Sequence, residues 1–312
     1  GSRLPWLRGH VIFGDFVSGQ LGYVTRTGSA GAHPLLDSGK NVTSFTIAPD
    51  GELLFTDHTG GIWTVEPNVG GHSVPGRLSE TGCVDVDRPA EPAAGLVPYD
   101  VAMPLWSDGT EKHRWMAIPD GTTIHIADDG AFEMPTGTVL VKSFFTRGRP
   151  IETRLLVRHA DGEWGGYTYE WTDDGRDALL LDNGKVKEVA GAPYTFPSRA
   201  QCLACHTPAA GFTLGLETAQ LNHAIVYDHH LRANQLTTLD HVGLFDPPLG
   251  ATALLPRFPR RDDPHADPQD WARAYLHANC SHCHRPGGPG MGNADLRFSS
   301  SLAETGCAGA PF

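Results

Sequence analysis

The chain lacks any long apolar run, and no stretch approaches the roughly eighteen residues that a membrane-spanning helix needs, so we expect no membrane span. It also lacks an excess of basic residues. There are 24 Lys and Arg against 36 Asp and Glu, which gives a formal net charge of −12. Because a nucleic-acid-binding face is basic, we expect no nucleic-acid partner.

Cysteine is scarce, with 6 residues among 312, yet four of the six fall in two short motifs. Residues 202–206 (CLACH) and 280–284 (CSHCH) both read C-x-x-C-H, which is the attachment sequence of c-type haem. Two thiols one helical turn apart bond the two vinyl groups of one porphyrin, and the adjacent imidazole ligates the iron. A zinc site or a redox dithiol is the alternative, although structural zinc favours a closed set of four ligands.

The two motifs therefore predict two haem c groups as cofactors. The residues predicted to hold them are the thioether cysteines Cys202, Cys205, Cys280 and Cys283 and the proximal iron ligands His206 and His284.

The sixth ligand of each iron is less constrained. Methionine there raises the reduction potential and a second histidine lowers it. Met291 follows the second motif closely, while the segment between the motifs contains no methionine and several histidines. His277 and His223 lie in stretches with helical spacing, so they are the preferred distal histidines. For any single histidine, an imidazole that only makes hydrogen bonds is the alternative.

Cys83 and Cys307 remain outside the motifs. Haem c is attached on the oxidising side of a membrane, where thiols tend to pair. We therefore expect a periplasmic or extracellular protein and a disulfide between Cys83 and Cys307, the alternative being two separate buried thiols. No signal peptide opens the chain, so we expect a processed or missing N-terminus.

Abundant turn residues, 37 Gly and 24 Pro, favour strands and loops over a helical bundle. We predict four segments: 1–68, a β-propeller blade remnant; 69–98, a linker; 99–197, a β-sandwich-like domain; and 198–312, a dihaem cytochrome c domain. The predicted fold class is multidomain. A mainly β N-terminal two-thirds is followed by an α-helical cytochrome c-like domain, which we expect to be incomplete at its C-terminus.

Local patterns refine this prediction. Tyr167, Tyr169 and Trp171 alternate with polar residues, which predicts a strand with one aromatic face. Helical spacing over 216–225 and 235–242 predicts two helices. Ser198 is placed to cap a helix that enters the first motif, and Asp267-Pro268 predicts the start of a helix that leads to Cys280.

Several stretches resemble a family of exported bacterial dihaem c-type cytochromes, of the kind fused to a propeller of the sorbosone or glucose dehydrogenase type that uses pyrroloquinoline quinone (PQQ). The stretches that carry the resemblance are 13–19, 98–100, 104–109, 114–115, 152–156, 197–206 and 275–280. The resemblance covers nearly the whole chain. Most of the propeller is absent from this sequence, so PQQ belongs only to that absent part and no residue here inherits a quinone site.

The resemblance implies electron transfer through the two haems. Electrons would come from a fused quinoprotein dehydrogenase domain or a redox partner protein, and the sequence assigns no catalytic residue. Two alternatives remain: a dihaem peroxidase-like enzyme with one open iron, and a structural component of an extracellular cytochrome assembly. The sequence does not specify the oligomeric state.

Overall fold

The computed structural model describes residues 1–25, 31–67, 74–301 and 303–306. The chain divides into two compact units. Unit 1 comprises residues 1–91, 152–154 and 165–204, and unit 2 comprises residues 92–151, 155–164 and 205–312. Each unit is therefore assembled from separate stretches of the sequence.

The N-terminal part of unit 1 consists of two three-stranded antiparallel sheets, β1-β2-β3 and β4-β5-β6. Their strands are β1 (Val11–Gly14), β2 (Gln20–Val24), β3 (Ala32–Asp37), β4 (Val42–Ile47), β5 (Leu53–Asp57) and β6 (Ile62–Thr64). Leu21, Val42, Phe55 and Val65 form their buried core. In these residues, where the sequence predicts one blade, the structure has two small sheets.

Twelve further strands follow among the described residues. They are β7 (Val97–Pro98), β8 (Glu111–Ala117), β9 (His125–Ile126), β10 (Phe132–Glu133), β11 (Val139–Thr146), β12 (Arg149–Arg158), β13 (Trp164–Trp171), β14 (Ala178–Leu180), β15 (Lys185–Val189), β16 (Ala192–Phe196), β17 (Ala224–Val226) and β18 (Arg232–Asn234). The largest sheet has the strand order β14-β13-β12-β11-β8-β7. β9 with β10, β15 with β16, and β17 with β18 form two-stranded hairpins.

Strand β13 forms where the sequence predicts it, and its alternating aromatic residues Tyr167, Tyr169 and Trp171 lie on one face. The strand is buried on both faces, since Tyr167, Thr168, Tyr169 and Trp171 all have little exposure. The Tyr169 hydroxyl donates to the Pro75 carbonyl at 2.8 Å. The alternation therefore predicts the strand and its aromatic face, but not that the opposite face is covered as well.

The predicted fold class is wrong at its C-terminal part, because the described residues between 198 and 306 form no sizeable α-helical domain. Helix makes up 15% of the structure. The α-helices of the described residues are α1 (Arg199–Cys205), α2 (Thr218–Leu221), α3 (Gln235–His241) and α4 (Pro268–Cys280). The helix predicted over 216–225 is a single turn followed by β17. None of these helices is long and apolar enough to cross a membrane.

The physical reason lies in the core of unit 2. Leu221, Leu236 and Leu239 share one buried cluster with strand residues such as Met116 and Phe132. Their apolar side chains are thus covered by strands as well as by one another. Helical spacing correctly predicted that these residues are buried, but it could not identify what they pack against.

Candidate haem-attachment site

Helix α1 carries the first C-x-x-C-H motif. The Ser198 hydroxyl accepts from Gln201 N–H at 3.2 Å, and the Gln201 side chain accepts from Ser198 N–H at 2.8 Å. This reciprocal pair is a capping box, and it confirms the predicted helix start. The helix ends at Cys205, so Cys202 and Cys205 lie one turn apart, the first buried and the second exposed.

Cys202 packs tightly against β13. A Cβ added to Gly166 would lie 2.6 Å from the Cys202 Cβ and 2.9 Å from its Sγ, so only glycine fits opposite this cysteine. Arg154 lies close enough to Cys202 to interact electrostatically. The first thioether position therefore lies against a glycine and beside a cation.

His206 makes the hydrogen bond expected of an iron-ligating imidazole. Its Nδ1 pairs with the Phe212 carbonyl, so Nδ1 must carry the proton and donate. Because the neutral ring then has its lone pair on Nε2, this bond leaves Nε2 as the nitrogen available to ligate a metal. Metal-bound histidines commonly donate their other N–H to a backbone carbonyl in this way.

Helix α4 delivers the second motif. Its Asp267 cap accepts from Gln269 N–H at 2.9 Å and from Asp270 N–H at 3.1 Å, as the sequence predicts. After Cys280 the chain turns tightly, with His284 N–H donating to the Cys280 carbonyl at 2.9 Å. The second C-x-x-C-H is therefore held by local backbone bonds at the end of a capped helix.

Two imidazole nitrogens at this motif are buried without a hydrogen-bond partner among the described residues, namely Nδ1 of His282 and Nδ1 of His284. Leaving a buried polar atom unsatisfied costs about 1 to 3 kcal/mol. A water molecule can satisfy such atoms, and since Nε2 is the nitrogen that would ligate iron, these Nδ1 atoms do not bear on haem binding. The donor set of paired thiols and adjacent imidazoles fits haem c, which we take as the group implied by the motifs.

Within unit 2, the segment that directly follows the first motif lies against the second motif. The Thr207 hydroxyl donates to the His282 carbonyl at 2.8 Å. Arg285 donates from Nη1 to the Ala209 carbonyl at 2.8 Å and from Nε to the Ser281 carbonyl at 3.0 Å. Thr207 and Arg285 thus join the segment after the first motif to the second motif.

The pKa of Cys283 also shows that Cys205, at the end of helix α1, lies near the second motif. Burial raises the pKa of the Cys283 thiol, and the neighbouring Cys205 and Cys280 raise it further. Burial also raises the pKa of Cys280. Sequence reasoning predicted both motifs but not this adjacency. The only local signal is that Thr207 and Arg285 directly follow the two proximal histidines.

Among the predicted distal ligands, His277 already uses both of its ring nitrogens in contacts with the protein. His277 Nε2 lies 2.9 Å from Glu217 Oε1, and its Nδ1 accepts from Phe298 N–H at 2.9 Å. Both ring nitrogens are thus engaged, and iron ligation would require Nε2 to leave Glu217. Since His277 also acts electrostatically on His282, it lies near the second motif.

The other two predicted distal ligands differ in exposure, since His223 is partly buried and Met291 lies at the surface. Burial lowers the pKa of His223, and the nearby Arg260 lowers it further. The Gln235 side-chain amide is 3.4 Å from both of its ring nitrogens. Met291 is 92% exposed.

The predicted disulfide involves Cys307, which lies outside the described residues. Burial raises the pKa of its expected partner, Cys83. Among the described residues, no group of three or more His, Cys, Asp or Glu side chains is arranged to hold a bare metal ion.

Comparison with known proteins identifies no family. No family model matches the chain, and no curated protein matches it. Among solved structures, it is weakly similar to a bifunctional GH43-CE protein of Bacteroides eggerthii, at 15% identity and a TM-score of 0.12, over 60% of this chain and 25% of that one. It is also weakly similar to a catalytically inactive virginiamycin B lyase of Staphylococcus aureus with quinupristin, at 12% identity and a TM-score of 0.12, over 61% of this chain and 85% of that one.

Proposed function

We propose that this protein transfers electrons through two covalently attached c-type haems and works on the oxidising side of a membrane. The observation that supports the proposal is that Thr207 and Arg285 join the segment directly after the first C-x-x-C-H motif to the second motif. A bound haem c would supply one-electron redox chemistry at each motif. The electron donor is a quinoprotein dehydrogenase domain or partner, as the family resemblance implies.

The chain's own residues would hold and orient these groups. Cys202 with Cys205, and Cys280 with Cys283, supply the thioether bonds. His206 Nε2, whose lone pair is directed by the bond from Nδ1 to Phe212, would ligate the iron of the first haem, and His284 would ligate the iron of the second. Thr207 and Arg285 fix the spacing of the two motifs, because each bridges backbone segments that are far apart in sequence.

A peroxidase-like activity is the second candidate, and one observation favours it. His277 has both nitrogens engaged and Met291 is exposed, so neither is poised as a sixth ligand. Rapid binding of carbon monoxide to the reduced protein would support this candidate. Two low-spin spectra unchanged by carbon monoxide would support electron transfer alone.

The decisive experiment is the intact mass of the denatured protein after export in a host that matures c-type cytochromes. We expect the polypeptide mass plus two haem groups, with a sharp α-band in the reduced-minus-oxidised spectrum. Replacing Cys280 and Cys283 by Ser should remove one haem mass, and so should replacing Cys202 and Cys205. Cys83→Ser is the matched control and should retain both. A bare polypeptide mass from folded protein would refute the proposal.

A further inference from the structure

Unit 2 contains a cavity of about 700 Å³ that none of the residues of the two C-x-x-C-H motifs lines. It lies between residues 100–112, residues 260–262 and the outer face of α4. Its volume is within the range of about 300 to 1,000 Å³ that small-molecule sites have.

The cavity has an aromatic wall. Trp271 and Tyr275, one turn apart on α4, stack with ring centroids 5.7 Å apart and planes inclined by 7°. Trp106, which also lines the cavity, is 64% exposed. Large aromatic rings left open in a concave site offer flat apolar surface to a ligand.

Two hydrogen bonds anchor this aromatic wall. Trp271 Nε1 donates to the Arg261 carbonyl at 3.2 Å, which fixes the indole ring. The backbone N–H of Trp106 donates to Asn279 Oδ1 at 2.8 Å, which fixes the backbone that carries the Trp106 ring, and Asn279 directly precedes Cys280. A Trp271 ring that is fixed before the ligand arrives lowers the entropic cost of binding.

The charges in the cavity favour an anion. Its lining has four cationic side chains, Lys112, Arg114, Arg260 and Arg261, and three carboxylates, Asp100, Glu111 and Asp262. Arg114 pairs with Asp100 at 3.0 Å and Arg260 pairs with Asp262 at 3.0 Å. Among the described residues, no ion pair or side-chain hydrogen bond involves the Arg261 guanidinium. The cavity lining therefore carries one more positive than negative side chain, although the whole chain has a net charge of −12.

We infer that this cavity binds a small planar aromatic carboxylate, whose ring lies against Trp106, Trp271 and Tyr275 and whose carboxylate pairs with Arg261. A guanidinium suits this role because it binds a carboxylate in a bidentate manner. The aromatic rings account for the planar part of the ligand and the guanidinium for its charge. The inference does not depend on the proposed electron transfer.

Isothermal titration calorimetry on the purified full chain tests it with three probes. Naphthoate has both features, naphthamide lacks the charge, and cyclohexanecarboxylate lacks the aromatic ring. We expect naphthoate to saturate one site per chain, and each of the other two to bind about tenfold more weakly, the equivalent of about 1.4 kcal/mol.

Two variants assign the contacts. Arg261→Gln should weaken naphthoate binding about tenfold, while Arg257→Gln, an exposed arginine outside this cavity, should leave it unchanged. Trp106→Leu should weaken naphthoate but not cyclohexanecarboxylate. Far-UV circular dichroism would establish that each variant is folded. Absence of saturable binding by naphthoate, or equal losses in the Arg261 and Arg257 variants, would overturn the inference.

Discussion

The Glu152 side chain is fully buried and is matched by two partners. Arg154 donates to it from Nε at 2.6 Å and from Nη2 at 2.8 Å, and the Tyr194 hydroxyl donates at 2.5 Å. In the ion pair of Glu152 with Arg154, each charge is balanced by the other. Removing one of the two side chains leaves the remaining charge without a partner where little water can reach it. This cluster lies beside Cys202, so it supports the first motif.

We expect Glu152→Gln to lower the free energy of unfolding by about 3 kcal/mol, because Arg154 loses its counter-charge. Urea unfolding followed by circular dichroism measures the loss. Glu188→Gln, an exposed site on β15, is the control and should change stability by less than about 0.5 kcal/mol. Equal stability of the two variants would show that the buried pair contributes nothing.

Asp295 gives a pH-dependent contribution. Hydrogen bonds from Arg297, one of 2.7 Å from Nη2, lower the pKa of Asp295 to about 2 from its ordinary value of 3.8. A carboxyl whose pKa is lower in the folded state stabilises the fold above the unfolded pKa and loses that contribution as pH falls through the folded pKa. The stabilisation of the fold by ionised Asp295 should therefore be complete at neutral pH and be lost as the pH falls to about 2.

The comparison of wild type with Asp295→Asn tests this expectation. The wild type should be more stable by about 1 kcal/mol near neutral pH, a discounted figure for a pair that water partly reaches. The difference should shrink as pH falls from about 4 to about 2. A difference that stays constant over that range would mean that ionisation of Asp295 does not stabilise the fold.

At the scale of elements, the loop after the second motif depends on close backbone approach. A Cβ at Gly288 would collide with the carbonyl of Cys283, which also accepts from Gly290 N–H at 3.0 Å. A side chain therefore cannot be added there without moving the motif.

Gly288→Ala should destabilise the protein by about 2 kcal/mol, within the usual cost of overpacking. In the haem-loaded protein it should also shift the spectrum of the second site. Gly76→Ala is the matched control, since a Cβ there meets no atom within 4 Å. Thermal unfolding of both variants provides the measurement, and an unchanged midpoint for Gly288→Ala would contradict the steric argument.

At the scale of the whole molecule, the C-terminal part of the chain shares its hydrophobic core with earlier strands. The main buried cluster of unit 2 joins Leu216, Leu236 and Phe245 to residues from earlier strands, including Met116 and Leu140. Without those strands, the C-terminal leucines would be exposed to water, which costs about 1.5 to 3 kcal/mol for each fully buried side chain.

A fragment of residues 198–312 should therefore be unfolded when expressed alone. Far-UV circular dichroism should show no cooperative thermal transition, whereas the full chain should show one. A cooperative transition in the fragment would restore the independent C-terminal domain that the sequence predicts. The full chain is the control, purified and measured under the same conditions.

What the sequence by itself determined is local. The two C-x-x-C-H motifs and the Ser198 and Asp267 caps all depend on residues within a few positions of one another. Steric and hydrogen-bonding rules act at that range, so pattern alone predicts them.

Only the tertiary structure decided which distant residues meet. It joined the segment after the first motif to the second motif through Thr207 and Arg285. It also engaged His277 with Glu217 and Phe298, and it covered the C-terminal leucines with strands. Apolar periodicity indicates that a residue is buried but not what buries it, because burial depends on contacts between residues far apart in the chain.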